Sequence, residues 1–315
     1  MTGPPRWRAG VDRAAHRRTD PQWLDAAWLR ARVLVIDSSA QVLCTAEPCL
    51  VFVEPDEAPA GERLFLGVDT EGTPYFAVVA DLPEWPGARP VTLREVGAGL
   101  SDRDAELLGT AAALVKWHAT HRDAPPTGEE TSAAAAGWLR VDAAGTHLFP
   151  RTDPAVIVLV HDGVAGERGR CLLGSNAARP VGRDGGRFFS TLAGFVEPGE
   201  SAEAAVVREV YEEVGVRVSE LRYEGSQPWP YPGSLMLGFT GVADPAQPFR
   251  LDPAEIAVAR WFTRAEIASV FANEPGPRGA LRGEPAPGVP VYLPGPASIA
   301  YRLIHTWLHA SPLPR

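Results

Sequence analysis

Residues 194–216 read GFVEPGESAEAAVVREVYEEVGV, and this stretch decides the fold of the second half of the chain. Ser201 is a favourable helix N-cap, and residues 202–214 contain neither glycine nor proline, so the sequence predicts a helix there. Gly215 stands where a left-handed C-terminal cap is favoured. Four apolar residues recur at helical spacing and predict one buried face: Ala205, Val206, Val210 and Val214.

Three glutamates, Glu209, Glu212 and Glu213, crowd the last turns of this predicted helix. Carboxylates are unfavourable at the negative end of a helix dipole, and Glu209 and Glu213 repel each other as i,i+4 neighbours. Only Arg208 is close enough in sequence to compensate, and it is i,i+4 to Glu212. Hard divalent cations bind oxygen ligands, usually a few carboxylates together with substrate phosphates. A metal site explains the cluster better than a solvated acidic face, which would normally mix charges.

The spacing of these residues resembles the Nudix box, GX5EX7REUXEEXGU. Every fixed position is present: Gly194, Glu200, Arg208, Glu209, Glu212, Glu213 and Gly215, with Val210 and Val216 as the apolar positions. The resemblance implies a hydrolase of nucleoside diphosphates linked to another group, working with Mg²⁺ or Mn²⁺. It also implies a loop–helix–loop on an α/β/α sandwich.

A second informative stretch, SQPWPYPGS, occupies residues 226–234. Its three prolines alternate with Trp229 and Tyr231, and proline makes the chain stiff and extended. Such a segment can hold a flat ring for stacking on a nucleobase, worth about 1–3 kcal/mol per base. A Pro-rich surface loop or an SH3-type ligand is the alternative. The stretch resembles the SQPWPFPxS array of the NADH pyrophosphatase branch of Nudix hydrolases, which FPRTDPAVI at 149–157 also fits.

These resemblances imply a set of site residues. The implied metal ligands are Glu209, Glu213, the Ala193 carbonyl, Glu255, and Glu212 either as a ligand or as a group oriented by Arg208. An acid in the position of Glu255, after Asp-Pro, is equally consistent with a helix-start charge. Glu213 is implied as the base, so the catalytic set is Glu213, Glu212 and Arg208. The implied substrate-binding residues are Phe195 and Trp229 as ring clamps, with Phe149, Gln227, Pro228, Pro230, Tyr231, Pro232, Gly233, Ser234 and Ala300.

The chain is predicted to be an α/β protein, a Nudix α/β/α sandwich with a mixed sheet, preceded by a smaller strand-rich α+β N-terminal domain. The Pro-, Thr- and Ala-rich run at 123–136 marks the boundary. We expect a flexible tail at 1–20, an N-terminal NADH pyrophosphatase-like domain at 21–122, a linker at 123–150 and the Nudix hydrolase domain at 151–315.

Short apolar runs predict further elements of both halves. The predicted strands are 33–36, 50–53, 64–68, 75–79, 155–160, 171–173 and 235–242. The predicted helices are one around 23–32, one at 102–118 and a closing helix at 298–309. His118 and His121 follow the second of these helices and are interpreted as surface or capping histidines.

Composition limits the environment and the partners. The 315 residues carry a formal net charge of −9, which argues against a general nucleic-acid-binding surface. Three cysteines are too few for a disulfide framework, so a reducing cytoplasm is the simplest setting. No apolar run is long enough to span a membrane.

The linker lacks the two cysteine pairs with which the family commonly binds zinc. The corresponding windows, 123–128 and 141–147, read DAPPTG and VDAAGTH. Asp123, Asp142 and His147 replace four thiolates poorly, so the sequence predicts no structural zinc. We expect the prolines at 125 and 126, with packing of Trp138 and Phe149, to hold the linker instead.

The resemblance implies that NADH and water give reduced nicotinamide mononucleotide and AMP, with NAD⁺ as a related substrate. Removal of NAD caps from RNA 5′ ends is the alternative within the enzyme class, and ADP-ribose is another candidate substrate. A homodimer whose loops complete the partner's site is also implied. Two hypotheses propose other classes of protein. A non-catalytic nucleotide sensor is opposed by the intact acids of the box, and a nucleic-acid-binding zinc ribbon is opposed by the missing cysteine pairs.

Overall fold

The computed structural model describes residues 10–125, 127–231, 233–273, 276, 279–286 and 289–310. The chain divides into two compact units. The first consists of Met1–Thr152 and Trp229–Gly233, and the second of Asp153–Pro228 and Ser234–Arg315. None of the helices in the described ranges has the length and apolarity needed to cross a membrane.

The first unit is mainly a six-stranded sheet with a helix on each face. Its helices are α1 (Pro21–Trp28), α2 (Leu93–Val96) and α3 (Asp102–Thr120). Its strands are β1 (Arg32–Ile36), β2 (Val42–Thr45), β3 (Phe52–Val53), β4 (Glu62–Val68), β5 (Pro74–Val79), β6 (Ala88–Val91), β7 (Ser132–Ala134), β8 (Leu139–Val141) and β9 (His147–Leu148). The strands predicted in this part of the chain are confirmed, with shifted ends.

Strand β1 is central to this sheet, whose order is β4-β5-β1-β2-β6, with β3 also on β1. It runs parallel to β5 and antiparallel to β2 and β3. Its side chains alternate between the two faces, as the pleat of a strand requires. Leu34 and Ile36 pack in the cluster that contains the apolar face of α3, whereas Val33 and Val35 pack with α1.

Two predictions at the start of the chain are wrong. Residues 10–20 are not a flexible tail, because the backbone of Asp12 exchanges two 2.8 Å hydrogen bonds with Val68, and Val11 and Ala14 are buried. The first helix ends at Trp28 rather than near residue 32, since Arg32 already begins β1. Residues 1–9 of the predicted tail lie outside the described residues.

The buried Arg140 of β8 joins this strand to Thr131 and to His118 at the end of α3. Arg140 is 8% exposed, and its Nε and Nη2 donate to the hydroxyl and the carbonyl of Thr131, both at 2.6 Å. Its Nη1 lies 2.9 Å from Nδ1 of His118, whose Nε2 lies 2.9 Å from the carbonyl oxygen of Gly137. This pattern fits a neutral His118 that donates through Nε2, and burial lowers the pKa of that ring.

The interpretation of His118 as a surface residue is therefore wrong, because it is the link between α3 and the linker. His121 does cap the helix, with Nδ1 3.2 Å from the carbonyl oxygen of Trp117. Trp138 packs as expected, donating from Nε1 to the carbonyl of Phe65 at 2.7 Å. Phe149 does not pack, since it is 67% exposed. Pro126 lies outside the described residues.

The second unit has the α/β/α layers that the sequence predicts. Its helices are α4 (Ala202–Val214), α5 (Arg264–Phe271) and α6 (Ile299–His309). Its strands are β10 (Asp153–His161), β11 (Arg170–Asn176), β12 (Arg187–Phe188), β13 (Leu192–Phe195), β14 (Ser219–Trp229), β15 (Ser234–Val242), β16 (Ile256–Thr263), β17 (Leu281–Ala286) and β18 (Val289–Leu293).

Strand β10 is central to the mixed sheet of this unit, whose order is β14-β15-β10-β11-β16, with β13 also on β10. Val156, Val158 and Val160 face the apolar side of α4. Ile157 and Leu159 face the opposite way, into the cluster that contains α5 and α6. Alternate side chains of β10 therefore pack on opposite faces of the sheet, one face against α4 and the other against α5 and α6.

The two units share one sheet topology. Each pairing of β1, parallel with β5 and antiparallel with β2 and β3, has a counterpart at β10 with β15, β11 and β13. The outer strands also correspond in chain order. The difference lies between the third strand and the strand that follows it: the second unit inserts α4 there, whereas the first unit has only the connection at 54–61. The first unit is a copy of the sheet without the glutamate-bearing helix.

Candidate functional site

Helix α4 forms as its sequence predicts. Oγ of Ser201 accepts a hydrogen bond from the Ala204 amide at 3.2 Å, and Gly215 closes the helix in the left-handed conformation, with φ of 75°. All four predicted face residues are fully buried against β10 and its neighbours. Glu213 is buried on the same side of the helix, so this packing also fixes the position of its carboxylate.

Arg208 gathers three of the four box glutamates around one guanidinium group. Its Nε and Nη2 donate to the two carboxylate oxygens of Glu200 at 2.9 and 2.8 Å. Its Nη1 donates to Glu209 at 2.8 Å and to Glu212 at 2.9 Å. Nη2 also donates to the carbonyl oxygen of Phe195 at 2.9 Å, which ties β13 to α4. The two-pronged bond to Arg208 lowers the pKa of Glu200 to about 2.

Glu209 and Glu213 remain short of positive charge in spite of Arg208. Burial raises the pKa of Glu209, and the guanidinium of Arg208 opposes this effect only in part. Burial, the charge of Glu209 and the charge of Glu255 raise the pKa of Glu213 to about 8, while a hydrogen bond from the Ala193 backbone acts the other way. Within the described residues, Oε2 of Glu213 is buried without a hydrogen-bond partner.

Gly194, the first residue of the box, leaves room for this carboxylate cluster. A Cβ atom at this position would lie 1.9 Å from the carboxyl carbon of Glu209, so the Glu209 side chain would have to move away. The glycine therefore allows the close approach of the Glu209 carboxylate to β13.

Comparison with known proteins assigns this arrangement to a family. Residues 151–282 match the family described as NUDIX domain, and residues 27–117 match the NADH pyrophosphatase-like rudimentary NUDIX domain. The NAD-capped RNA hydrolase NudC of Mycobacterium bovis is 41% identical over 308 residues, which cover 95% of this chain and 93% of that protein. The chain belongs to the Nudix hydrolase family, in its NADH pyrophosphatase branch.

Two further relatives agree with this placement. The NAD-capped RNA hydrolase NudC of Mycobacterium tuberculosis is 41% identical over 95% of this chain and 93% of its own length. The mitochondrial NAD(P)H pyrophosphatase NUDT13 of Homo sapiens is 35% identical over 69% of this chain and 59% of that protein. The rudimentary domain description also fits a first unit that keeps the Nudix sheet and lacks the Nudix helix.

The Nudix carboxylates fit a hard divalent cation. Oε2 of Glu213 is an oxygen donor without a partner among the described residues, and Glu209 lies close enough to raise the pKa of Glu213. In the described ranges, no three histidine, cysteine, aspartate or glutamate side chains converge as a ready metal-binding group. A cation here would therefore also use backbone oxygen, water or substrate phosphate, as Mg²⁺ usually does.

Glu255 belongs to the turn that precedes β16. Its amide donates to the carbonyl oxygen of Asp252 at 3.1 Å, and its own carbonyl accepts from Ala177 at 2.7 Å. The alternative of a helix-start charge is wrong, because a strand begins at Ile256. The charge of Glu255 acts on both Glu209 and Glu213, so its role as a ligand stays a prediction with electrostatic support.

Gln227 and Ala300 lie near the start of α6. Gln227 is 2% exposed; its Nε2 donates to the Ala297 carbonyl at 2.8 Å, and its Oε1 accepts from the Ile299 amide at 2.5 Å. Both ends of this amide are thus used to cap the helix, a role that the sequence did not reveal. Ala300 is buried in the first turn, where backbone amides have no partner within the helix.

The predicted aromatic loop is shorter than the sequence suggested. Residues 226–229 continue strand β14, so the turn consists of residues 230–233, of which Pro232 lies outside the described residues. Trp229 and Tyr231 pack edge to face, with ring centroids 5.4 Å apart. Residues Trp229–Gly233 group with the first unit, whereas the Nudix carboxylates belong to the second.

The remaining predicted substrate residues are distributed over both units. Phe195, at the end of β13, is 57% exposed and presents a free ring. Phe149, in the first unit, lies edge-on to His147 with ring centroids 6.1 Å apart. Ser234 begins β15 and is buried. Their contact with substrate stays a prediction.

The raised pKa of Glu213 gives a testable effect of pH on stability. Because this pKa is higher in the folded protein, at about 8, than the ordinary 4.5, the folded state holds a proton that the unfolded state has released between these values. Stability of the metal-free protein therefore falls as pH rises through this window. We expect Glu213→Gln to raise the melting temperature in EDTA more at pH 9 than at pH 5.

Calorimetric melting of both proteins at the two pH values provides the measurement. Glu203→Gln is the matched control, since Glu203 lies exposed in the first turn of the same helix. An equal change in melting temperature at pH 5 and pH 9 for Glu213→Gln would contradict the account.

Proposed function

We propose that this chain hydrolyses the pyrophosphate of NADH or NAD⁺ to nicotinamide mononucleotide, reduced or oxidised, and AMP. Water adds to one phosphorus, the bridging P–O bond breaks, and the proton released by water passes to a base. The observation that carries the proposal is the pair of neighbouring carboxylates Glu209 and Glu213 in a complete Nudix box: Arg208 binds only Glu209, and the pKa of both groups is raised. The names of the relatives support NAD-derived substrates.

Each residue of the carboxylate cluster has a proposed role. Glu209, Glu213 and the Ala193 carbonyl are the proposed ligands of Mg²⁺ or Mn²⁺, with Glu255 as a further ligand. A bound cation would neutralise phosphate charge and lower the pKa of the attacking water. Glu213 is the proposed base, and Glu212 is a ligand or a residue held in place by Arg208.

The substrate's bases require flat partners, and the chain offers exposed or half-buried rings. Phe195 and Trp229 are the proposed ring clamps, with Tyr231 supporting Trp229 through their edge-to-face contact. The other residues of the stretch 226–234, with Phe149 and Ala300, are proposed to complete the binding surface, which the buried Gln227 supports by holding the start of α6. Stacking tolerates either base because each has a π-face.

Removal of NAD caps from RNA is the second candidate function. It is favoured by the name of the relatives that are 41% identical, NAD-capped RNA hydrolase. The same phosphoanhydride bond is cleaved in both substrates, so one site serves both. With a net charge of −9, the protein offers no general basic surface to the RNA that follows the cap. We therefore do not expect affinity to rise with the number of phosphates in the RNA. ADP-ribose remains a further candidate; the intact acids oppose a sensor without activity.

The proposed setting is a reducing cytoplasm, in which Cys44, Cys49 and Cys171 stay free thiols. We also propose a homodimer in which the aromatic turn of one copy completes the site of the other. Sedimentation velocity of the active protein measures this directly, and an active monomer would contradict it.

We further propose that the protein carries no structural zinc. In the predicted linker, the buried Arg140 binds Thr131 and His118 and so holds β8 to the end of α3 without a metal. Elemental analysis of untagged, dialysed protein is expected to find no zinc in stoichiometric amount. About one zinc per chain, the content of one closed structural site, would contradict the proposal.

Catalysis is expected to depend on a divalent cation and on Glu213. With NADH and Mg²⁺, Glu213→Gln should lower kcat by about 10²–10⁴-fold, the usual contribution of a general base. EDTA should abolish turnover by the unaltered protein. Chromatographic separation of nicotinamide mononucleotide and AMP from NADH gives the rates. Glu203→Gln should retain full activity, and a Glu213→Gln rate close to that of the unaltered protein would exclude the assignment.

Trp229 is expected to bind substrate by stacking. Trp229→Ala should raise KM for NADH by roughly tenfold or more, since one base stack is worth about 1–3 kcal/mol. A pyrophosphate substrate without a second base should be affected much less. Trp85→Ala is the matched control, because Trp85 is a partly exposed tryptophan outside the SQPW array. Equal losses on both substrates would indicate a structural role of Trp229.

A further inference from the structure

Lys116 is the single lysine of this chain, whose other 29 cationic side chains are arginines. It lies on α3, the helix whose apolar face forms much of the core of the first unit. Its side chain is half-buried and points away from that core face, toward the segment Trp229–Gly233 of the same unit. Nothing in the Nudix box or the SQPW array predicts a role for it.

The ammonium of Lys116 contacts the aromatic turn in two ways. Its Nζ donates to the carbonyl oxygen of Pro230 at 2.8 Å, across 114 positions of sequence. The same atom lies 4.3 Å from the ring centroid of Tyr231, within cation–π distance. Arg94 of α2 adds a second cation, 5.0 Å from the Tyr231 ring and 5.6 Å from the Trp229 ring.

This arrangement is electrostatically unfavourable for the lysine itself. No carboxylate of the described residues forms an ion pair with Lys116 or Arg94. Burial and the neighbouring charge of Arg94 both lower the pKa of Lys116. Partial burial of Lys116 beside the exposed Arg94 is unfavourable, and the hydrogen bond and ring contact of Lys116 with the turn offset this cost.

The turn depends on an external donor for its anchorage. Pro230 has no backbone N–H, so its backbone can be held only through its carbonyl oxygen. Within it, the Tyr231 amide donates to the Trp229 carbonyl at 2.7 Å. A compact ammonium with three donors can bind a carbonyl oxygen and a ring face together, whereas the planar guanidinium of arginine is larger and more rigid.

We propose that Lys116 is a positioning residue for substrate binding: it ties the Pro230 carbonyl to α3 and so fixes the orientation of the Trp229–Tyr231 ring pair. This inference rests on the proposed function, because the ring pair is the proposed clamp of a substrate base. It assigns to the first unit, which lacks the Nudix helix, the task of holding that clamp.

Hydrogen–deuterium exchange tests the anchorage without any substrate. Lys116→Met should accelerate exchange in peptides covering 226–234 and leave peptides of β10 and α4 unchanged. Arg122→Met serves as the control, since Arg122 is an exposed cation that follows the same helix. Unchanged exchange at 226–234 in Lys116→Met would overturn the inference, whether or not NADH proves to be the substrate.

Kinetics with chemical rescue tests the consequence for binding. In a Cys49→Ser background, Lys116→Cys can be alkylated with 2-bromoethylamine, which restores an ammonium, or with iodoacetamide, which adds a neutral amide. Cys44 and Cys171 are buried and protected from both reagents. In the neutral form, KM for NADH should rise by about tenfold, because one charge-assisted hydrogen bond is lost, and kcat should stay within about twofold. The aminoethyl form should restore KM.

The outcomes separate this inference from the proposed function. An unchanged KM in the neutral form, or no recovery in the aminoethyl form, would overturn the positioning role while NADH hydrolysis stands. Absence of NADH hydrolysis in the unaltered protein would refute the proposed substrate, and hydrogen exchange would then decide the Lys116 contact alone.

Discussion

The hydrogen bonds of Arg208 are the interaction on which the second unit's site depends. One guanidinium group binds three carboxylates and the Phe195 carbonyl, and so joins α4 to the end of β13. Without it, like charges at the negative end of a helix dipole would repel one another in a half-buried place. Glu213 is not among the partners of Arg208: burial and the charges of Glu209 and Glu255 raise its pKa, and within the described residues its Oε2 has no hydrogen-bond partner. That deficit of positive charge is the physical basis of the proposed metal site.

The same sheet topology occurs in both units. Both sheets place a parallel pair at the centre and an extra antiparallel strand beside it, but only the second inserts a helix after that strand. The first unit therefore has no counterpart of the Glu209 and Glu213 cluster. Its α2 and α3 instead carry Arg94 and Lys116, which contact the aromatic turn at residues 230–231.

Local signals in the sequence were sufficient for the parts of the fold that local physics decides. The N-cap, the apolar spacing and the C-terminal glycine of α4 are read within one short stretch, and the alternation of β10 follows from its continuous apolar run. Contacts between distant positions could not be read in this way. Arg140 meets His118 across 22 positions, and Lys116 meets Pro230 across 114. The shared topology of the units was likewise missed, because it lies in strand order rather than in a repeated motif.

Mn²⁺ binding measured by electron paramagnetic resonance tests whether the α4 carboxylates hold a cation, because the signal of free Mn²⁺ reports occupancy without any catalytic turnover. We expect a tight site in the unaltered protein and in Glu203→Gln, and its loss in Glu209→Gln and in Glu213→Gln. Equal Mn²⁺ affinity in all four proteins would show that the buried carboxylates of α4 do not hold the cation.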